Sequence, residues 1–180
     1  LESKKLDEVV TIPENYAGGQ GVKIGLQRGE RITVGDLLIG LLVRSGGDAA
    51  VALATYHSGS VEAFVAAMNQ KATMLRLENT QFKNPIGLDE DGHYSSAYDL
   101  ALLSKYAMRH SYFRHVVQLR EAEVTSLDGA IRHFFQNTNR LLGTYLNIIG
   151  VKTGTTDAAG ESVINVALGS QGHEILAIIL

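Results

Sequence analysis

Gly150-Val151-Lys152-Thr153-Gly154-Thr155-Thr156 is the stretch on which the reading of this chain turns. An apolar run beginning at Ile148 leads into a lysine, a threonine and a glycine, followed by two more threonines. The β-branched residues make it a strand, expected over Ile148 to Thr153. A cation at the end of such a strand can hold a carboxylate, and Thr153 and Thr155 add hydroxyl donors beside it. Gly154 lets another backbone lie against the strand with no side chain between them. The backbone N–H of Thr155 is a candidate donor to an oxyanion. Taken alone, a lysine ending a strand is usually a solvated edge charge, and Thr-Gly-Thr is ordinary turn chemistry.

The residues around this stretch set the fold class. Glu121 to Thr125 and Ile131 to Phe135 read as strands before it, and Ser162 to Leu168 and Glu174 to Leu180 as strands after it. The last two flank Gly169-Ser170-Gln171-Gly172, a hairpin signal. Upstream the period changes to that of helices. Thr33-Val34-Gly35-Asp36 reads as a capping box opening a helix with Leu37, Leu38, Leu41 and Leu42, apolar enough to be buried. Ser45-Gly46-Gly47 ends it, and Asp48 is placed to cap the next, Ala49 to Ala54. Ser60 caps a third helix carrying Phe64, Val65, Met68, Ala72 and Leu75. Ser96-Ala97-Tyr98-Asp99 caps a fourth, with Leu100, Leu103 and Ala107, and Tyr112 to Leu119 continues the helical part. Near the N-terminus, Val9 to Ile12 and Val22 to Leu26 read as short strands separated by the loop Gly18-Gly19-Gln20-Gly21. Helices in the middle and strands at the end argue for an α+β fold, an antiparallel sheet against a helical lobe.

Composition narrows the chemistry. The 180 residues are 45% hydrophobic and 19% charged, enough for one packed domain or most of one. A net charge of −3 without runs of like charge suggests neither a nucleic-acid surface nor a polybasic anchor. The absence of cysteine excludes disulfides, thiolate catalysis and cysteine-bound metals within these residues. His57, His93, His110, His115, His133 and His173 form no metal-ligand spacing and read as surface or loop histidines. Asp89-Glu90-Asp91-Gly92 lacks the ligand spacing of a calcium loop and reads as an acidic turn. Both ends read as points inside a longer chain. Leu1-Glu2-Ser3-Lys4-Lys5 has no initiator methionine or apolar leader, and Ile175 to Leu180 stops within an apolar run.

An acyl-transfer site acting on a substrate with a free carboxylate needs a nucleophile, a proton acceptor, an oxyanion hole and a cation. Lys152 is the candidate cation. Ser45, in a sharp break between two apolar helices, presents a hydroxyl that can pass a proton between a nucleophile and a leaving amine.

Six blocks in order then carry a family resemblance. They are Gly29 to Leu38, Ser45-Gly46-Gly47-Asp48-Ala49-Ala50, Asn84-Pro85-Ile86-Gly87-Leu88, His93 to Ala101, Asn137-Thr138-Asn139-Arg140-Leu141-Leu142, and Gly150 to Gly160. The chain resembles the serine-type D-Ala-D-Ala carboxypeptidases, low-molecular-mass penicillin-binding proteins with a β-lactamase/transpeptidase-like fold. Lys152-Thr153-Gly154 matches their Lys-Thr-Gly motif, and Ser45-Gly46-Gly47 their Ser-x-Asn motif. The resemblance implies trimming of the peptidoglycan pentapeptide through an acyl-serine intermediate, acylation by β-lactams, and no metal or organic cofactor. It implies that Ser45 shuttles protons and that Lys152, Thr153, Gly154, Thr155 and the residue at Gly47 bind substrate. It also implies a location outside the bacterial cytoplasmic membrane.

Two departures qualify the match. No serine is followed three residues later by lysine, so the Ser-x-x-Lys nucleophile is not in these 180 residues. Residues 1–180 therefore read as a partial catalytic domain, incomplete at both ends, unreactive as it stands, and prone to self-association through exposed edges. Gly47 replaces the motif asparagine, and losing such a donor typically costs about 2–4 kcal/mol of transition-state stabilisation. A non-catalytic homologue that binds wall peptides is the alternative that Gly47 favours. A β-lactamase-like hydrolase is a further one, opposed by the Asn-Pro-Ile-Gly-Leu and His-Tyr-Ser-Ser-Ala blocks.

Overall fold

The computed structural model describes residues 5–16 and 18–180. Leu1 to Lys4, part of the segment read as lacking a leader, lie outside the described residues. The element order is β1 (Val9–Thr11), β2 (Arg31–Thr33), α1 (Val34–Arg44), α2 (Gly47–Ser58), α3 (Val61–Met74), α4 (Ala97–Ala107), α5 (Ser111–Val116), β3 (Glu121–Thr125), β4 (Arg132–Gln136), β5 (Ile148–Thr156), β6 (Gly160–Leu168) and β7 (Glu174–Ile179). All strand pairs are antiparallel: β1 with β2, β3 with β4, and β5-β6-β7 as a three-stranded sheet. The expected α+β architecture holds.

Local signals place the helices. Thr33, Ser60 and Ser96 each accept a hydrogen bond from the N–H three residues on, and so start α1, α3 and α4. The β6–β7 hairpin closes at Gly169–Gly172 as its glycines predict, and β5 runs on through Thr156. Two clusters hold the elements together. Val10, Ile12, Ile32, Leu37, Val43, Ala49 and Phe135 form the larger, where α1 and α2 meet the small sheets. Met108, Val117, Ile149, Val151 and Val166 form the second, where the end of α5 meets the β5–β6 pair. Leu42 of α1 packs against both.

Several sequence expectations need correction. Val22 to Leu26 is not a strand: the N–H groups of Ile24, Gly25 and Leu26 are taken by the carboxylate of Asp48, at 2.9, 2.9 and 3.1 Å, and are not available to a ladder. Asp48 is therefore not the cap of α2. Gly46 holds that position without a side-chain bond, and Asp48 spends its oxygens on this loop and on the N–H of Ala49. Helix α1 is only partly buried: Leu37 and Val43 are enclosed, whereas Leu38 and Leu41 line a cavity of about 190 Å³ between α1, α2 and α3. His133 is not a surface residue. It is 6% exposed and its Nε2 lies 2.8 Å from the carboxylate of Glu30, itself buried.

Candidate active site

The left-handed conformation of Ser45 builds the first wall. Helix α1 ends there at φ 63°, ψ 37°, and the Ser45 N–H bonds back to the Gly40 carbonyl. That conformation disfavours any residue with a Cβ. Here it turns the Ser45 side chain to meet Lys152 of β5, whose Nζ donates to Ser45 Oγ. A second bond, from Lys152 Nζ to the Thr153 carbonyl at 2.9 Å, holds the ammonium. No carboxylate pairs with it among the described residues. Burial alone pulls the Lys152 pKa down to about 8.

Thr153 faces Thr138, to whose Oγ1 it donates at 2.7 Å. The Thr138 N–H in turn donates to the carbonyl of Val43, two residues before Ser45, at 3.2 Å. The end of α1 and the strand β5 are thus tied through one residue. Asn137 and Asn139 hold that residue in place. Asn137 Nδ2 donates to the Leu119 carbonyl at 2.8 Å, and its Oδ1 accepts from the N–H of Asn139 at 2.8 Å. Asn139 Nδ2 donates to the buried Asn165 amide of β6 at 2.7 Å. The block Asn137-Thr138-Asn139, quoted above only for its resemblance, is a brace between the two walls.

Gly154 stands opposite Ser162, and a Cβ on it would lie 2.8 Å from Ser162 Oγ. A larger residue there would force the Ser162 hydroxyl to turn away. Among the described residues strand β5 has a sheet neighbour, β6, on one side only, so its other edge carries no strand along Lys152 to Thr155. Beyond Thr155, Thr156 Oγ1 and the N–H of Ala158 donate to the carboxylate of Asp89, at 2.7 and 3.1 Å. Asn84 Oδ1 accepts from the N–H groups of Ile86, Gly87 and Leu88, which shapes the turn leading to Asp89. Asp89 of the acidic stretch 89–91 is thus part of the support for β5. This role depends on a partner distant in sequence, and no local signal announces it.

Gly47 is the position where sequence and structure together say most. Its N–H donates to the Val22 carbonyl at 2.7 Å, and a Cβ on it would lie 2.5 Å from the carbonyl oxygen of Gln20. The loop around Gly18–Gly21 occupies the space that the motif asparagine would need. Gly47→Asn is therefore expected to push this loop away from α2 and to destabilise the fold by about 1–3 kcal/mol. Thermal denaturation reads this as a drop of about 2–4 °C per kcal/mol. An unchanged melting temperature together with unchanged protease resistance of the loop would contradict it.

Comparison with known proteins gives a consistent result. Residues 2–180 match the family described as D-alanyl-D-alanine carboxypeptidase, Peptidase_S11. D-alanyl-D-alanine carboxypeptidase DacF of Bacillus subtilis is 42% identical over 155 residues, which is 86% of this chain and 40% of the relative. DacC of Escherichia coli is 39% identical over 184 residues, 98% of this chain and 44% of the relative. The chain thus spans less than half the length of these two relatives. Among solved structures, the Streptomyces K15 DD-transpeptidase superposes with a TM-score of 0.92 at 33% identity, covering 100% of this chain and 74% of that one. Penicillin binding protein 6B from Escherichia coli superposes with a TM-score of 0.84 at 36% identity, covering 97% and 55%.

Proposed function

We propose, from the premise that the chain belongs to the D-alanyl-D-alanine carboxypeptidase family, that it forms the substrate-holding part of an enzyme releasing the terminal D-alanine of peptidoglycan peptides. The observation that carries this reading is the meeting of Lys152 with Ser45, 107 residues apart, beside the open edge of β5. The peptide would lie along that edge with its terminal carboxylate at Lys152. The hydroxyls of Thr153 and Thr155 stand on either side of Gly154, and the N–H of Thr155 is the proposed oxyanion donor. A serine hydroxyl attacks the carbonyl carbon of the last peptide bond. Its C–N bond breaks, Ser45 passes a proton to the departing amine, and water then cleaves the acyl-serine ester. No step in this scheme calls for a metal or organic cofactor. The substrate places the work outside the cytoplasmic membrane, and among the described residues no helix is long and apolar enough to cross one.

The attacking serine of the family's Ser-x-x-Lys motif is not among these 180 residues. We read residues 1–180 as part of the catalytic domain, able to bind and not to be acylated. Incubation of the 180-residue chain with a fluorescent penicillin is expected to leave it unlabelled, and covalent label on Ser45 would refute that assignment of roles. The loop over Gly47 supports a second reading, a homologue that binds wall peptides without turnover. A protein that joins this chain to a Ser-x-x-Lys segment separates the two. Release of D-alanine supports the enzyme, and binding without release supports the homologue.

Among the described residues β7 pairs only with β6, and its Ile175 and Ile179, with Leu180 just beyond it, are exposed. Such an edge is a template for pairing. Light scattering of this chain is expected to show association through β7. A monodisperse monomer across a range of concentrations would exclude it.

A further inference from the structure

The edge of β5 that carries no strand is bounded at both ends by ties to the opposite wall. At the Lys152 end the tie is Thr138, which joins Thr153 to the end of α1. At the other end it is Asp89. One carboxylate oxygen accepts from Thr156 Oγ1 at 2.7 Å and the other from the N–H of Ala158 at 3.1 Å. The Thr156 hydroxyl also accepts from the N–H of Ala159 at 3.0 Å, so the turn between β5 and β6 closes on the same group.

Asp89 stands on a platform that holds it in place. Asn84 Oδ1 accepts from three N–H groups of the turn, and Asn84 Nδ2 donates to the Leu88 carbonyl and to Glu90, both at 3.0 Å. The residues on either side of Asp89 are thus fixed by one amide. The same turn packs on the wall that begins at Ser45: Ile86 Cγ2 lies 3.6 Å from where a Cβ on Gly47 would be. Leu88 reaches the loop over that wall, 3.9 Å from where a Cβ on Gly21 would be. Asp89 therefore joins the start of α2 to the end of β5, as Thr138 joins the end of α1 to Thr153. Between the two ties Lys152 to Thr155 offers about 10 Å of edge, the length of three extended residues.

A carboxylate that accepts from a hydroxyl and an N–H makes charge-assisted bonds, and a fixed platform spares the cost of ordering it. We propose that Asp89 is a positioning residue for the bound peptide. It sets the distance between Thr155 and the wall at Gly47, and so the fit of the acyl part that runs past Thr155. It acts through Thr156 and Ala158 and touches no substrate itself. The proposal rests on the carboxypeptidase reading and adds to it a residue on which only the acyl part of the peptide depends.

The test compares two ligands on the 180-residue chain. Acetyl-L-Lys-D-Ala-D-Ala is long enough to span the edge from Lys152 to Thr155, whereas acetyl-D-Ala reaches only its Lys152 end. Asp89→Ala is expected to weaken the tripeptide about 3- to 10-fold, the worth of one or two hydrogen bonds, and to leave acetyl-D-Ala within about twofold. Asp89→Asn, which keeps an acceptor for Thr156, should recover part of the loss. Thr156→Val should mimic the alanine variant and add little to it in the double variant. Calorimetry reads the tripeptide, and NMR titration the weaker acetyl-D-Ala. Unchanged tripeptide binding in Asp89→Ala, or an equal loss for both ligands, overturns the positioning role alone. Failure of the unsubstituted chain to bind either ligand overturns the carboxypeptidase reading and the positioning role together.

Discussion

Alanine in place of Asp48 is expected to destabilise the chain by about 3–4 kcal/mol, seen as a fall of roughly 10 °C in melting temperature. The carboxylate is almost fully enclosed and accepts from four backbone N–H groups, those of Ile24, Gly25, Leu26 and Ala49. Each buried donor left without a partner costs about 1–3 kcal/mol, offset in part by relaxation and entering water. Tyr16 adds a further tie, donating its hydroxyl to the Asp48 carbonyl. Burial, reinforced by the Asp48 charge, raises the Tyr16 pKa, so this phenol remains a donor across the neutral range. Asp48→Asn, which keeps one acceptor oxygen, should cost less than alanine. Limited proteolysis should show cleavage appearing between Lys23 and Gln27 in the alanine variant. A melting temperature within about 2 °C of the parent would show that the carboxylate does not hold the loop.

The second large effect concerns Lys152. Its pKa is lowered from 10.5 to about 8 by burial. Only the protonated form attracts a carboxylate, so affinity for a peptide ending in D-Ala-D-Ala is expected to fall about tenfold per pH unit above about pH 8. Lys152→Ala should reduce that affinity by about 30- to 1000-fold at neutral pH and abolish the pH dependence. Titration calorimetry across the alkaline range reads both, and a flat profile in the parent protein would remove Lys152 from carboxylate recognition. Stability moves in the opposite direction. Because the folded-state pKa lies below the unfolded one, the unfolded chain binds more protons between about pH 8 and pH 10.5, and stability rises with pH through that window. The full cost of burying the charged lysine, about 3 kcal/mol, is present below pH 8. The basic pH at which the fold gains stability is where the proposed site is expected to lose affinity for its peptide.

The parts legible in the sequence were those set by local chemistry or by a motif. Thr33, Ser60 and Ser96 announce their helices because a capping side chain reaches only three residues along. Gly169 and Gly172 announce a hairpin for the same reason. Lys152 and Ser45 were paired through the motifs they match, and the structure brings them into contact. What escaped depends on partners distant in the chain. Val22 to Leu26 has the composition of a strand, and nothing near it says that Asp48 will take its N–H groups. His133 looks like any polar residue on an alternating strand, and its partner Glu30 is 103 residues away. The departure at Gly47 was visible at once. Its companion, the Gln20 carbonyl over the missing Cβ, could only be seen in three dimensions.

The brace through Thr138 has a consequence for genetics. The spacing of the two walls depends on the amide contact between Asn139 and Asn165, neither of which bonds to Lys152 or Ser45. Under the proposed function, a screen for lost D-alanine release is expected to return both asparagines beside Ser45 and Lys152, and by phenotype alone they would be mistaken for residues that hold the substrate. Paired replacement tells them apart. An exchange that restores the contact at positions 139 and 165 can restore function, whereas no second change elsewhere can return the charge of Lys152.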